Sequence, residues 1–333
     1  MRLLVTGGLG FIGSNFVASI LGRKGFVSLV NMDNLSYGAS KGSLRQQEED
    51  PRYEFVVGDI TNRALLSRYL PKVDAVVNFA AETHVDRSIA NAWPFLKSNT
   101  EGVLSILEVM RRKADNIVMI QVSTDEVYGD VTKGSATEQG PLRPSSPYAA
   151  SKASGDMLCL AFHRTYGLKI RVTRCTNNFG PRQFPEKFIP KTIIRAQLGL
   201  RVPIYGDGKN IRDWIFVGDH CDALMQVLRK GEDGEIYNIA GHSEKKNIDV
   251  VKHVLDIMGK PHDLIEYVKD RPGHDRRYSL DDQKIRDRLG WKPKSSFEDA
   301  LNKTIRWYVE NERWWRPLAN ETTLSSTPWK LGK

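Results

Sequence analysis

The chain has 333 residues, 40% apolar and 27% charged, which suits a soluble globular protein large enough for two lobes. No run approaches the ~18 apolar residues of a membrane helix, which excludes a helical membrane protein. The net charge of +9 comes from 49 Lys and Arg against 40 Asp and Glu, spread along the chain without a run of five. That pattern argues against a nucleic-acid patch and for a small anionic substrate on a basic surface.

The elements follow in chain order. Leu3-Leu4-Val5-Thr6 reads as a strand, and its start at Arg2 leaves no room for a signal peptide, so a cytoplasmic location is expected. Residues 11 to 22 have a helical period ending at Gly22. Val27 to Asn31 and Tyr53 to Val57 are further strands, followed by a helix at 62 to 70 and a strand at Ala75 to Phe79. A long helix at 94 to 112 leads into the strand Ile117 to Val122. Continuous apolar strands alternating with helices specify a parallel sheet covered on both faces. The expected fold is therefore α/β, a doubly wound parallel sheet of the Rossmann type.

After about residue 175 the punctuation changes, with Pro181, Pro185, Pro190 and Pro203 among Gly180, Gly199, Gly206 and Gly208. Loops of this kind shape binding sites. Two parts are expected: residues 1–175 form the dinucleotide-binding domain, and 176–333 a smaller, loop-rich substrate lobe. Some of 212–240 should return to the large sheet. Helices are predicted near 187–199, 219–230, 247–258 and 297–311. The tail 317–333 is polar and expected to be poorly ordered unless Trp329 anchors it. Cys159, Cys175 and Cys221 lack metal or redox spacing and read as reduced core residues, and no His pairing suggests a metal.

Thr6-Gly7-Gly8-Leu9-Gly10-Phe11-Ile12-Gly13 follows the first strand and opens a helix. Gly7, Gly10 and Gly13 permit a tight turn, close pyrophosphate approach and close helix–sheet packing. Asp33, some 20 residues on, is placed to accept hydrogen bonds from a ribose diol and to repel a 2′-phosphate, which favours NAD over NADP. Asp59-Ile60 would flank the adenine. Ala80-Ala81-Glu82 would line the floor beneath the pyrophosphate and ribose.

Tyr148 and Lys152 are four apart on a helix predicted to begin at Pro147, so they share one face. An adjacent ammonium and a cationic nicotinamide would lower the phenol pKa and let Tyr148 take a proton from a substrate hydroxyl. Thr124-Asp125-Glu126 ends the fifth strand. Two neighbouring carboxyl groups there can hold different protonation states, giving one general acid and one general base. Alcohol oxidation alone needs neither. The pair points to oxidation of a sugar followed by elimination of water.

With these motifs stand Ser123-Thr-Asp-Glu-Val-Tyr128, Asn177-Asn-Phe-Gly-Pro-Arg-Gln-Phe-Pro-Glu-Lys187, Pro203-Ile-Tyr205, Arg212-Asp-Trp214 and Asp270-Arg-Pro-Gly-His274. On them the chain resembles the extended short-chain dehydrogenase/reductases, and within these the dTDP-glucose 4,6-dehydratases, over about nine-tenths of its length. The resemblance implies an NAD-dependent hydro-lyase in which Tyr148 takes the C4 hydroxyl proton as hydride passes to NAD. Glu126 then removes the C5 proton, Asp125 protonates the departing C6 hydroxyl, and hydride returns to C6. It implies cofactor contacts at Asn34, Leu35, Ser36, Ser98 and Asn178. Substrate contacts are implied at Thr83, His84, Thr124, Asn177, Lys187 and Phe188, and at Pro203, Ile204 and Tyr205 around the base. Arg212, Asn247, Arg271 and His274 would contact the diphosphate or its sugar.

A homodimer pairing through helices 94–112 and 147–166, and service in dTDP-rhamnose supply, are also implied. Leu9, Ser98 and Gly218 depart from the usual pattern without touching the proposed chemistry. A dehydratase for another nucleotide sugar or a 4-epimerase stays open at this point, although epimerases do not need the acid–base pair at 125 and 126.

Overall fold

Buried apolar residues run through most strands of the large sheet in the computed structural model, which describes residues 1–330. In chain order the strands are β1 (Arg2–Thr6), β2 (Ser28–Asp33), β3 (Tyr53–Val57), β4 (Ala75–Asn78), β5 (Val118–Thr124) and β6 (Ile170–Cys175). Then come β7 (Asn177–Phe179), β8 (Val202–Tyr205), β9 (Ile211–Phe216), β10 (Ile236–Ile239), β11 (Glu244–Lys246) and β12 (Ile265–Val268). Seven strands form one parallel sheet in the order β3-β2-β1-β4-β5-β6-β10. Alternate residues of β1 serve opposite faces: Leu3 and Val5 pack with Phe16, Val17 and Ile20, whereas Leu4 packs with Val76, Ile106 and Met110. The fold is a doubly wound α/β sheet. Chain order reverses between β1 and β4, so a crevice opens at their carboxyl ends, and loops from β1, β2, β4 and β5 converge on it.

Local chemistry sets the helix that matters most. Ser146 Oγ accepts from Ala149 N at 3.1 Å, Pro147 occupies the first turn, and Gly167 at φ +71° ends Pro147–Tyr166. The helix predicted at 94–112 is interrupted. A turn at Trp93–Leu96 passes into a π-helical stretch at Lys97–Gly102 before Val103–Lys113 continues as α-helix. The widened turn carries Asn99, whose Nδ2 donates to Glu82 O and Ser151 Oγ while its Oδ1 accepts from Glu82 N. One buried side chain thus ties the loop after β4 to the helix bearing Tyr148.

The remaining strands form two small sheets, β11-β9-β7 and β12-β8. They pack on Phe188–Gln197, Asn247–Ile257 and Phe297–Glu310 around Phe179, Ile193, Trp214, Leu301 and Trp315. Since β9 belongs to the small sheet, the return to the large one starts later than residue 212. The helix Val217–Lys230 packs beside Phe11–Leu21, and β10 then pairs with β6. The tail is not loose through Lys330: Thr323, Leu324 and Trp329 are buried. Residues 331–333 of the predicted tail lie outside the described residues.

Candidate active site

Two adjoining cavities, of about 260 and 200 Å³, open along the carboxyl edge of the large sheet. Gly7, Gly10, Phe11, Ile12 and Gly13 line the first with Asp33, Asn34, Ser36, Asp59, Ile60, Ala80, Ala81, Ser98, Thr124, Tyr148, Lys152 and Asn178. Phe188, Pro203, Tyr205, Arg212, Asn247, Arg271 and His274 line the second. Thr83, His84, Glu126, Asn177, Asn178 and Lys187 face both.

Gly7 and Gly13 have no room for a side chain. Gly7 has φ +71°, and a Cβ there would lie 2.5 Å from Ala80 N; at Gly13 it would lie 2.4 Å from Gly7 O. Asp33 is fixed by two backbone amides, with Leu9 N and Leu35 N each 2.9 Å from its carboxylate. Burial nevertheless raises its pKa against those two bonds. At Asp59 burial also pushes upward, but bonds from Thr61 and Asn34 and the charge of Lys97 outweigh it and keep the carboxyl low.

Thr124 caps a single 3₁₀ turn, Asp125–Tyr128, that begins where β5 ends. Its Oγ1 donates to Asp125 Oδ1 at 3.1 Å, while Asp125 Oδ2 is buried without a partner. Burial, and then repulsion from Glu126, raise the Asp125 carboxyl well above its ordinary range. Glu126 is also raised by burial, but Arg271, Arg212 and Lys187 pull it back. The two carboxyls therefore sit in unlike fields. Asp125 is the better proton holder and Glu126 the better base.

Tyr148 is buried within reach of Thr124 and the carboxyl pair. Burial, and then the charge of Glu126, raise its phenol well above 10. The Lys152 Nζ donates to Val122 O at 2.7 Å and lies near Asp156. Behind Lys152 runs a buried chain in which Arg174 Nε donates to Asp156 Oδ2 at 2.9 Å and Arg174 Nη1 to Tyr128 Oη at 2.8 Å. Tyr128 Oη in turn donates to Asn238 Oδ1 at 2.9 Å.

The second cavity is cationic. Arg212 Nη2 donates to Asp275 O at 3.0 Å, and its guanidinium lies 4.2 Å from the Tyr278 ring centroid. Arg271 Nη1 donates to Asp86 Oδ1 at 2.7 Å, and Lys187 Nζ to Thr83 O at 2.8 Å. Asn177 Oδ1, Asn247 Oδ1 and Arg271 Nε are buried without partners, as groups that await a polar ligand would be. His84 Nε2 lies 3.2 Å from Glu186, but burial and then Lys187 hold the imidazole neutral, so the contact is not an ion pair.

Three predicted positions do not face either cavity. Ile204 is turned into the core against Val202 and Ile248, because neighbours along a strand point to opposite faces and Pro203 and Tyr205 take the cavity side. Leu35, at φ +59°, contributes its amide to Asp33 while its side chain is exposed. Glu82 is held by its backbone on Asn99, with its side chain set among Ser36, Arg87 and Lys187. Tyr37, Asp86, Gln183, Glu186, Lys191 and Tyr278 line the cavities without having been predicted. Asp86 was detectable only as a charge two residues past His84, and Gln183 and Glu186 fall within the quoted segment Asn177–Lys187; Tyr37, Lys191 and Tyr278 carry no local signal. Among the described residues no cluster of His, Cys, Asp and Glu is arranged to hold a metal.

A family model described as GDP-mannose 4,6 dehydratase matches residues 4–304. The chain belongs to that family, within the extended short-chain dehydrogenase/reductases. It is 47% identical over 320 residues to a dTDP-glucose 4,6-dehydratase of Actinoplanes sp., covering 95% of this chain and 100% of that one. DesIV of Streptomyces venezuelae, a dTDP-glucose 4,6-dehydratase solved with NAD and a second ligand bound, superposes with a TM-score of 0.94. The two are 48% identical, over 96% of this chain and 100% of DesIV. A UDP-glucuronic acid 4-epimerase from Bacillus cereus has the same architecture at a TM-score of 0.88 but only 27% identity, over 93% and 99%. Family architecture therefore does not by itself separate elimination from epimerisation. The residues at 125 and 126 must.

Proposed function

We propose that the chain is a dTDP-glucose 4,6-dehydratase, an NAD-dependent hydro-lyase that yields dTDP-4-keto-6-deoxyglucose. One observation carries this reading: Glu126 faces both cavities with Asp125 beside it and Tyr148 in the first, so a hexose at that junction meets all three. The turn from Gly7 to Gly13, with no room for a Cβ at Gly7 or Gly13, fits a pyrophosphate, and the fixed Asp33 carboxylate fits a ribose diol. NAD, when bound, accepts hydride from C4 and supplies it to C6.

The chain's own groups do the rest. Tyr148, as the phenolate that the buried Lys152 ammonium and a cationic nicotinamide would together favour, takes the C4 hydroxyl proton while Thr124 holds that oxygen. The C4 ketone acidifies C5–H, which Glu126 removes. Asp125, protonated, donates to the C6 hydroxyl, and water leaves. Glu126 then returns its proton to C5. Arg212 and Lys187, with Arg271, Asn247 and His274, hold the diphosphate and its sugar, and Pro203 and Tyr205 hold the base.

Residues 1–175 serve the cofactor and 176–333 mainly the nucleotide sugar. The subunit pairs as a homodimer through its helices near 93–113 and 147–166, a reading supported by exposed Trp93, Leu96, Met157 and Tyr166 on those segments. Three buried, unpaired cysteines support a cytoplasmic enzyme.

Purified protein incubated with dTDP-glucose and no added reductant tests the assignment, followed by the alkali-induced absorbance of the keto product. Turnover is expected. Turnover of UDP- or GDP-sugars alone would change the substrate and keep the mechanism; failure with all of them would overturn elimination.

A further inference from the structure

The tail is anchored at Trp329, the alternative the sequence left open, and lies across the nucleotide end of the second cavity. After Trp315, whose Nε1 donates to Tyr308 O at 2.7 Å, the chain turns through Thr323 and buries Leu324 in the core of the smaller lobe. From there it makes three contacts with groups around the cavity. Ser325 O accepts from Lys191 Nζ at 2.9 Å, and Lys191 is a cavity-lining ammonium that burial lowers to about 8. Trp329 meets the Tyr205 ring edge-to-face, with centroids 4.7 Å apart and planes at 80°. The turn Pro328–Lys330 packs on the short helix Val85–Ala90, which carries Asp86.

Those contacts converge on one device. Tyr205 Oη donates to Asp86 Oδ2 at 3.2 Å, and Asp86 Oδ1 accepts from Arg271. Tyr205 is bounded on another side by His274, with centroids 6.2 Å apart. Without Trp329 the ring would lose a large neighbour, and its hydroxyl would no longer be aimed at the carboxylate that also fixes Arg271. We propose that Ala319–Lys330 is a strap that completes the nucleotide pocket, with Trp329 the positioning residue that sets Tyr205, and through Asp86 also Arg271, for the nucleoside diphosphate. This rests on reading the second cavity as the nucleotide site, but not on the elimination chemistry. Trp329 does not line the cavity itself, so its effect passes through the residues it packs on.

Calorimetric binding of dTDP to the NAD-loaded enzyme, together with steady-state kinetics on dTDP-glucose, tests the strap. Trp329→Ala, and separately deletion of 329–333, should raise the Kd for dTDP and the KM for dTDP-glucose about five- to tenfold, the range of one buried aromatic pair. In both variants kcat should stay within about twofold, and Trp329→Phe should restore binding to within about twofold. Unchanged Kd and KM in Trp329→Ala would overturn the proposal. So would a fall in kcat at constant KM, or weaker binding that merely tracks a lowered Tm. Wild-type protein that binds dTDP without turning over dTDP-glucose would overturn the dehydratase reading and leave the strap to be judged by Kd. Wild-type protein that binds no dTDP would overturn both.

Discussion

Replacing Asp125 by asparagine separates the acid role from the shape of the site. The residue is 3% exposed, its Oδ1 accepts from Thr124, and its Oδ2 has no partner. An amide has the same outline and keeps the Thr124 bond, but it cannot release a proton. A positioned general acid contributes roughly 10²–10⁴ in rate, or about 2.7–5.4 kcal/mol at about 1.36 kcal/mol per tenfold. On dTDP-glucose kcat should fall by that factor, with KM nearly unchanged.

Stability should move the other way. A carboxyl whose pKa is raised on folding stabilises the protein fully below its unfolded pKa of about 3.9. That contribution is lost at about 1.4 kcal/mol per pH unit as pH rises toward the folded value. Asp125 is raised well above the ordinary value, by burial first and Glu126 second, so Asp125→Asn removes that loss. The variant should match wild type near pH 4 and gain on it toward neutrality. Rates from the alkali-induced product absorbance and Tm values from about pH 4 to about pH 8 measure both effects. A variant keeping more than a tenth of wild-type kcat would refute a neutral acid at 125. So would one several degrees less stable at neutral pH, which would mean an ionised Asp125 held by Arg212.

Glu126→Gln should lower kcat by a similar roughly 10²–10⁴ but by a different step. In deuterium oxide it should leave C5 of recovered substrate undeuterated, whereas Asp125→Asn should still exchange there, as mass spectrometry would show. Gly13→Ala would press a methyl to 2.4 Å from Gly7 O and 2.8 Å from Gly8 Cα. It should weaken NAD retention at least about tenfold, read as cofactor released from the purified protein. Gly22→Ala, which meets nothing nearer than 3.6 Å, should retain it. Asp156→Ala should lower stability by about 3–5 kcal/mol in urea unfolding, because Arg174, 1% exposed, would be left as an unpaired buried charge. Asp156→Leu with Arg174→Met should recover most of that loss.

Much of the site was legible because its signals are local. The glycine turn, Asp33, the Thr124–Glu126 turn and the Tyr148–Lys152 spacing each lie within one strand–turn or helix unit, where φ/ψ limits and periodicity act over a few residues. The same locality limited Ile204, which was read with its neighbours as one pocket segment although strand alternation turns it into the core. It also missed the interruption at Lys97–Gly102, since nothing in that stretch announces that Asn99 must reach Glu82 and Ser151 together.

By itself, then, the sequence determined the parallel sheet, the cofactor turn and the adjacent carboxyl pair, all set by order and spacing along the chain. Only the tertiary structure decided the protonation bias of that pair, because burial and the distant Arg212, Arg271 and Lys187 set the field around it. It also decided that Lys152 bonds Val122, and that Asp86, Tyr205 and Trp329, spread over some 240 residues of the chain, come into contact. Burial and electrostatic interaction depend on distance through space, and the chain brings those groups together only after it has packed.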